Sequence, residues 1–175
     1  MTDEHKHDQS PSGWLVENID LLPPGKALDV AMGRGRNAVF LAGRGFDVEG
    51  VDVSAEAVAE AEKAAGNAGV QIKAEVADLE AGYLVKPGDY DVIICFNYLQ
   101  RSLIPALKAG LKTGGIIVYE TFITDQAELG SPRNPDYLLG HNELLEMFRD
   151  FRCLRYREGL LNESKAVAGI VAVKV

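Results

Sequence analysis

Apolar positions fall in two rhythms along this chain. Short apolar runs, at Ala27–Ala31, Phe46–Val53, Gln71–Ala77, Tyr90–Phe96 and Ile116–Thr121, read as strands. Between them lie segments with helical spacing: residues 14–22, 36–43, 54–68 and 103–111, with a further one at 143–148. Ser54 is placed to cap the third of these, and Pro23-Pro24-Gly25 stops the first. The run Tyr90–Phe96 is apolar and β-branched almost throughout, which suits a strand buried on both faces of a parallel sheet. Two closing strands, about 151–157 and 166–175, have no helix between them and should pair antiparallel at one edge. The alternation predicts an α/β fold, a doubly wound, seven-stranded and mostly parallel sheet with one antiparallel edge strand. Residues 1–13 read as a polar tail and 14–175 as a single domain. Residues 123–140, rich in Gly, Pro and Asn, form a loop too long for a mere connector.

Composition narrows the classes. With 47% hydrophobic residues in 175, the chain can bury one real core. No apolar run approaches the ~18 residues of a membrane span, and the first ten residues carry no apolar leader core. A formal charge of −8 opposes a role in tracking nucleic-acid phosphates. Cys95 and Cys153 stand far apart without a Cys/His cluster, so neither a metal site nor a disulfide framework is expected. The expected molecule is cytoplasmic, with no membrane and no nucleic-acid partner.

Candidate chemistry concentrates after the first strand. Gly33-Arg34-Gly35-Arg36-Asn37-Ala38 fits G-x-G-x-x-G/A at a strand-to-helix turn, where bare backbone and free N–H groups admit a ligand. Asp52 closes the second strand, where a carboxylate can accept both hydroxyls of a ribose. A dinucleotide and S-adenosylmethionine both satisfy these features. Asp29, four residues before Gly33, favours the second, because a carboxylate there meets the ammonium of a methionine moiety and offers nothing to a pyrophosphate. A dinucleotide would also want a second mononucleotide half, and the chain closes with a hairpin instead.

These residues carry a resemblance. Asp29-Val30-Ala31-Met32-Gly33-Arg34-Gly35 resembles the first motif of class I S-adenosylmethionine-dependent methyltransferases. Gly50-Val51-Asp52-Val53-Ser54, Ala77-Asp78-Leu79 and Leu111-Lys112-Thr113-Gly114-Gly115 resemble their later cofactor and fifth-strand motifs, with Thr113 in place of proline. Leu15-Val16-Glu17-Asn18, Asn97-Tyr98-Leu99-Gln100-Arg101, Tyr119-Glu120-Thr121-Phe122 and Pro132-Arg133-Asn134-Pro135 are similar to the tellurite-resistance-type group of small bacterial methyltransferases. The resemblance implies a Rossmann-like fold and methyl transfer to a small-molecule acceptor, with S-adenosylhomocysteine as product and no metal. It implies that Asp29 faces the methionine ammonium, that Gly33 and Gly35 admit the cofactor and that Asp52 holds the ribose. Asp78 and Leu79 would read the adenine, Val53 would pack on it, and Asn97 would border the methyl group. Ala31, Arg36 and Asn37 fall in the same cofactor set. Met32 stands where small residues are common and is expected to narrow the methionine pocket.

Acceptor candidates are placed by position. Arg101, Glu120 and Arg133 follow buried strands or sit in the long loop, at the carboxyl edge where open α/β sheets bind ligands, and Tyr98 and Tyr137 can supply aromatic walls. A bland alternative is that Arg101 and Glu120 only pair with each other. Asn134-Pro135-Asp136-Tyr137 resembles the N-P-P-Y motif of amino-methylating DNA enzymes, but its third residue and its place after the fifth strand reject that role. His141 precedes a helix and reads as a cap or surface residue. With no trusted base, a soft nucleophile such as a thiolate or a chalcogen is the favoured acceptor, since it arrives ionised. Two rivals remain: a non-catalytic sensor that binds the same cofactor, and a nicotinamide-dependent oxidoreductase.

Overall fold

The two most continuous apolar runs occupy the middle of the sheet. A computed structural model describes residues 8–175. Among them, seven strands form one sheet: β1 (Lys26–Val30), β2 (Asp47–Asp52), β3 (Lys73–Val76), β4 (Tyr90–Phe96), β5 (Leu111–Phe122), β6 (Arg152–Asn162) and β7 (Lys165–Val173), in the order β3-β2-β1-β4-β5-β7-β6. Strands β1 to β5 run parallel, and β7 pairs antiparallel with both β5 and β6. The expected hairpin therefore closes one edge, with the reversed strand set one place in from it. β6 outside it is mostly exposed, whereas β7 is buried along nearly its whole length.

Alternate strand residues feed two cores, as a period of two requires. Ile93, Cys95, Ile117, Tyr119 and Ile170 pack under α4 (Ile104–Gly110) and α5 (Glu143–Met147). Val92, Ile94, Phe96 and Val118 pack with α1 (Gly13–Asn18), α2 (Arg36–Gly43) and α3 (Ala55–Asn67) on the other face. Chain leaves β1 toward β2 and leaves β4 toward β5, so a crevice opens at the carboxyl ends of these two neighbours. Both strands end on a non-glycine residue in the left-handed region, Ala31 at φ 53° and Asn97 at φ 56°. Such backbone costs about 1–3 kcal/mol and persists where surrounding structure imposes it. Here it turns both chains away from the crevice.

Residues 1–7 of the expected tail lie outside the described residues. Residues 8–12 run along the glycine-rich turn: Ser12 N–H donates to Asn37 Oδ1 at 2.8 Å, and Arg36 Nη1 donates to the Ser10 carbonyl at 3.2 Å. Trp14 then anchors α1 against the sheet, its ring under the Arg157 guanidinium at 4.4 Å.

Met32 serves two places. Its side chain is 6% exposed and lies over Gly50, whose absent Cβ would sit 2.2 Å from the thioether sulfur. The bare neighbour makes room for the thioether in the core, and Met32 also lines the crevice beyond β1. Gly35 answers a second element too. It sits at the start of α2 with φ 80°, and an added Cβ would lie 2.6 Å from Ala61 Cβ on α3. Its bareness serves helix packing as well as the turn. Gly35→Ala is expected to cost about 1–3 kcal/mol, from strain and overpacking together. Denaturant midpoints should fall well below those of Gly33→Ala, which shares the left-handed φ but meets no protein atom.

Candidate active site

The crevice contains two lobes, each of about 320 Å³, that share Ala31. That size is typical of a small-molecule site. The first lobe is lined by Asp29, Met32, Gly33, Arg34, Arg36, Asn37, Phe96 and Asn97, with Asp8 and Gln9 over its mouth. The second is lined by Asp52, Val53, Asp78, Leu79, Glu80 and Tyr98. Ten of the eleven expected cofactor residues thus border one continuous crevice. Gly35 does not; it belongs to the α2–α3 contact.

Asp29 dominates the first lobe. Its side chain is buried at the carboxyl end of β1, and Oδ2 has no hydrogen-bond partner among the described residues. Burial pushes its pKa up to about 8; the Ala38 N–H and Arg36 offset part of that rise, while Asp52 adds to it. Leaving a buried acid unanswered is costly, and native proteins rarely do so without a functional reason. Gly33, with φ 56° and open space where a Cβ would be, leaves room directly beside it. A buried carboxylate with Arg34 and Arg36 at the mouth matches the ammonium and carboxylate of an α-amino acid.

The second lobe gathers the residues expected to hold a nucleoside. Asp52 accepts Gly33 N–H at 2.8 Å through Oδ2 and Ser54 N–H at 2.9 Å through Oδ1, which fixes the carboxylate and leaves lone pairs for further donors. Val53 is an apolar side chain 66% exposed at the lobe's edge, ready for a flat ring. Asp78 Oδ1 accepts Glu80 N–H at 2.8 Å, and the other oxygen is free to accept.

The acceptor candidates fall elsewhere. Arg101 does not pair with Glu120. It clamps the long loop, donating to both carboxylate oxygens of Glu143 (2.5 and 3.0 Å) and to the carbonyls of Asp136 (3.1 Å) and Leu138 (3.0 Å). Glu120, buried on β5, accepts from Arg157 at 2.6 and 3.0 Å. Arg157 also approaches Glu17 of α1. Arg133 and Tyr137 are exposed on the loop and line neither lobe. Tyr98, expected as an acceptor wall, lies in the nucleoside lobe. His141 reaches Asp125 at 2.6 Å on the surface and is held above its usual pKa by that carboxylate. Arg157 and Gln100 were not singled out from the sequence; the alternation of β6 and the N-Y-L-Q-R run were their only signals. Among the described residues, no three metal-ligating side chains converge, and no helix is long and apolar enough to cross a membrane.

Sheet order and crevice together define a class I S-adenosylmethionine-dependent methyltransferase fold. The chain belongs to the family described as tellurite resistance protein TehB, whose sequence model matches residues 4–171. It is similar to the probable S-adenosyl-L-methionine-dependent methyltransferase TehB of Haemophilus influenzae, 25% identical over 85% of this chain and 53% of that protein. It is also similar to hemagglutinin 1 of Eikenella corrodens, 29% identical over 97% of this chain and 59% of that one. The crystal structure of the Haemophilus influenzae TehB superposes with a TM-score of 0.79 at 23% identity, over 94% of this chain and 62% of that one. The chain thus spans a little over half the length of the curated relatives it matches.

Asp29 also sets a stability test. Its folded-state pKa near 8 lies above the unfolded value of 3.8, so the folded chain keeps a proton that the unfolded chain has released. Its contribution is fully present below pH 3.8 and is lost as pH rises toward 8. Asp29→Asn should therefore gain stability over the parent as pH rises from about 5 to about 7.5, read from denaturant midpoints. A difference independent of pH would contradict the assignment.

Proposed function

We propose that this chain transfers a methyl group from S-adenosylmethionine to a small-molecule acceptor in the cytoplasm, where Cys95 and Cys153 stay reduced. The observation that carries this reading is the unanswered carboxylate of Asp29 facing a lobe with room beside Gly33. Asp29, Arg36 and Asn37 would hold the methionine end, Asp52 the ribose, and Val53, Asp78 and Leu79 the adenine. Once bound, the cofactor supplies a methyl carbon on a cationic sulfur, open to in-line displacement. The protein's part is alignment and exclusion of water. Asn97, just beyond β4, lines the first lobe, and Asp8 and Gln9 lie over its mouth.

The acceptor is best read as a soft nucleophile that brings its own ionised or lone-pair-bearing atom. Glu120, Glu143 and His141 are each engaged by another side chain, by Arg157, Arg101 and Asp125 respectively. No described histidine lines either lobe. Transfer of a labelled methyl group to thiol and chalcogen acceptors tests this. For two accepted nucleophiles whose pKa values differ by about two units, the rising limb of kcat/KM should move with the nucleophile. His141→Ala should leave both profiles in place. A limb shared by both nucleophiles would mean an enzymic base, and binding without any turnover would point to a sensor.

A further inference from the structure

The nucleoside lobe has a wall whose supports nothing above explains. Tyr98, one residue beyond the left-handed Asn97, is held at both ends. Its carbonyl accepts the hydroxyl of the buried Tyr119 at 2.7 Å, and its own phenol donates to Gln100 Oε1 at 2.7 Å. Gln100 does not line the lobe. Its amide nitrogen reaches across to the Leu79 carbonyl at 3.2 Å and to Ser102 Oγ at 3.2 Å. A carbonyl can only accept, so the Leu79 contact fixes which end of the amide is nitrogen, and the phenol must then be the donor to Oε1. Leu79 itself lines the lobe, and its N–H has no partner among the described residues. One side chain therefore joins the aromatic wall on the β4 side to the peptide that presents an unpaired donor.

We propose that Gln100 is a positioning residue for the base of the cofactor, setting the distance between the Tyr98 ring and the Leu79–Asp78 edge so that an adenine is selected. This deepens the cofactor reading above and rests on it. The logic is that of a buried recognition edge: donor from Leu79 N–H and acceptor from Asp78 reject a base with a 6-oxo group, provided the wall keeps the ring in register. Loss of the Gln100 bridge frees both the phenol and the loop carrying Leu79. The penalty then depends on which base is bound.

Calorimetric titration with S-adenosylhomocysteine and S-inosylhomocysteine tests it. The parent chain should prefer the adenosyl ligand; no binding of it at all would overturn the cofactor reading itself. Gln100→Ala should bind S-adenosylhomocysteine about five- to tenfold more weakly and should also narrow the preference over the inosyl ligand. Gln100→Glu, nearly isosteric, keeps an acceptor for the phenol but sets a carboxylate against the Leu79 carbonyl, and should behave like Gln100→Ala. It carries the test if the alanine variant unfolds. Unfolding temperatures of the ligand-free variants near that of the parent mark an intact fold. Parent-like affinity in both variants, or an equal loss for both ligands, would overturn the proposal.

Discussion

A dehydrated carboxylate stands at the centre of this molecule. Asp29 is 2% exposed at the end of an interior strand, and its Oδ2 has no hydrogen-bond partner among the described residues. Dehydrating an acid in this way favours its neutral form and works against the folded state near neutral pH. The surrounding sheet bears that cost: β1 lies between β2 and β4, with apolar side chains on both faces. The left-handed turns at Ala31 and Asn97 and the bare Gly33 keep the space beside the acid open. In the proposed function a cationic ammonium would supply the missing partner, and a cost in the empty protein would become selectivity for an aminoacyl ligand.

The other charges are spent on walls. Arg101 gathers Glu143 and two loop carbonyls, fixing the loop after β5 beside the end of β4. Across the sheet, Phe96, Glu120, Gly169 and Arg157 lie in one row of register from β4 to β6. Gly169 is bare because Trp14 and the Glu120 carboxylate both crowd the place where its Cβ would be. The Glu120–Arg157 pair and the Trp14 stack above it seat α1, which continues into the segment over the methionine lobe.

Much of this was legible in the sequence where the signal is local. Strand runs such as Tyr90–Phe96 and the Ser54 cap declare themselves by neighbouring residues; Ser54 Oγ does accept Ala57 N–H at 3.1 Å. The lining of the crevice was legible for the same reason, since its residues sit at strand ends in fixed order. Partners were not. Arg101 and Glu143 are 42 positions apart and Glu120 and Arg157 37, and no local pattern tells an arginine which carboxylate it will meet. The packing roles of Gly35 and Met32 were not legible, because each answers a residue on another element, Ala61 in one case and Gly50 in the other. Tyr98 moved from the acceptor side to the nucleoside side because the left-handed backbone at Asn97 decides its direction, and an asparagine permits that turn without announcing it.

The most direct measurement is the number of protons exchanged when S-adenosylhomocysteine binds. Titration calorimetry at about pH 6.5, in two buffers of different ionisation enthalpy, counts them. An empty-site carboxyl with a pKa near 8 must give up its proton to meet an ammonium, so about one proton should be released per ligand bound. In Asp29→Asn that release should vanish and binding should weaken. A binding enthalpy independent of buffer in the parent chain, or an unchanged proton count in Asp29→Asn, would contradict the role assigned to Asp29.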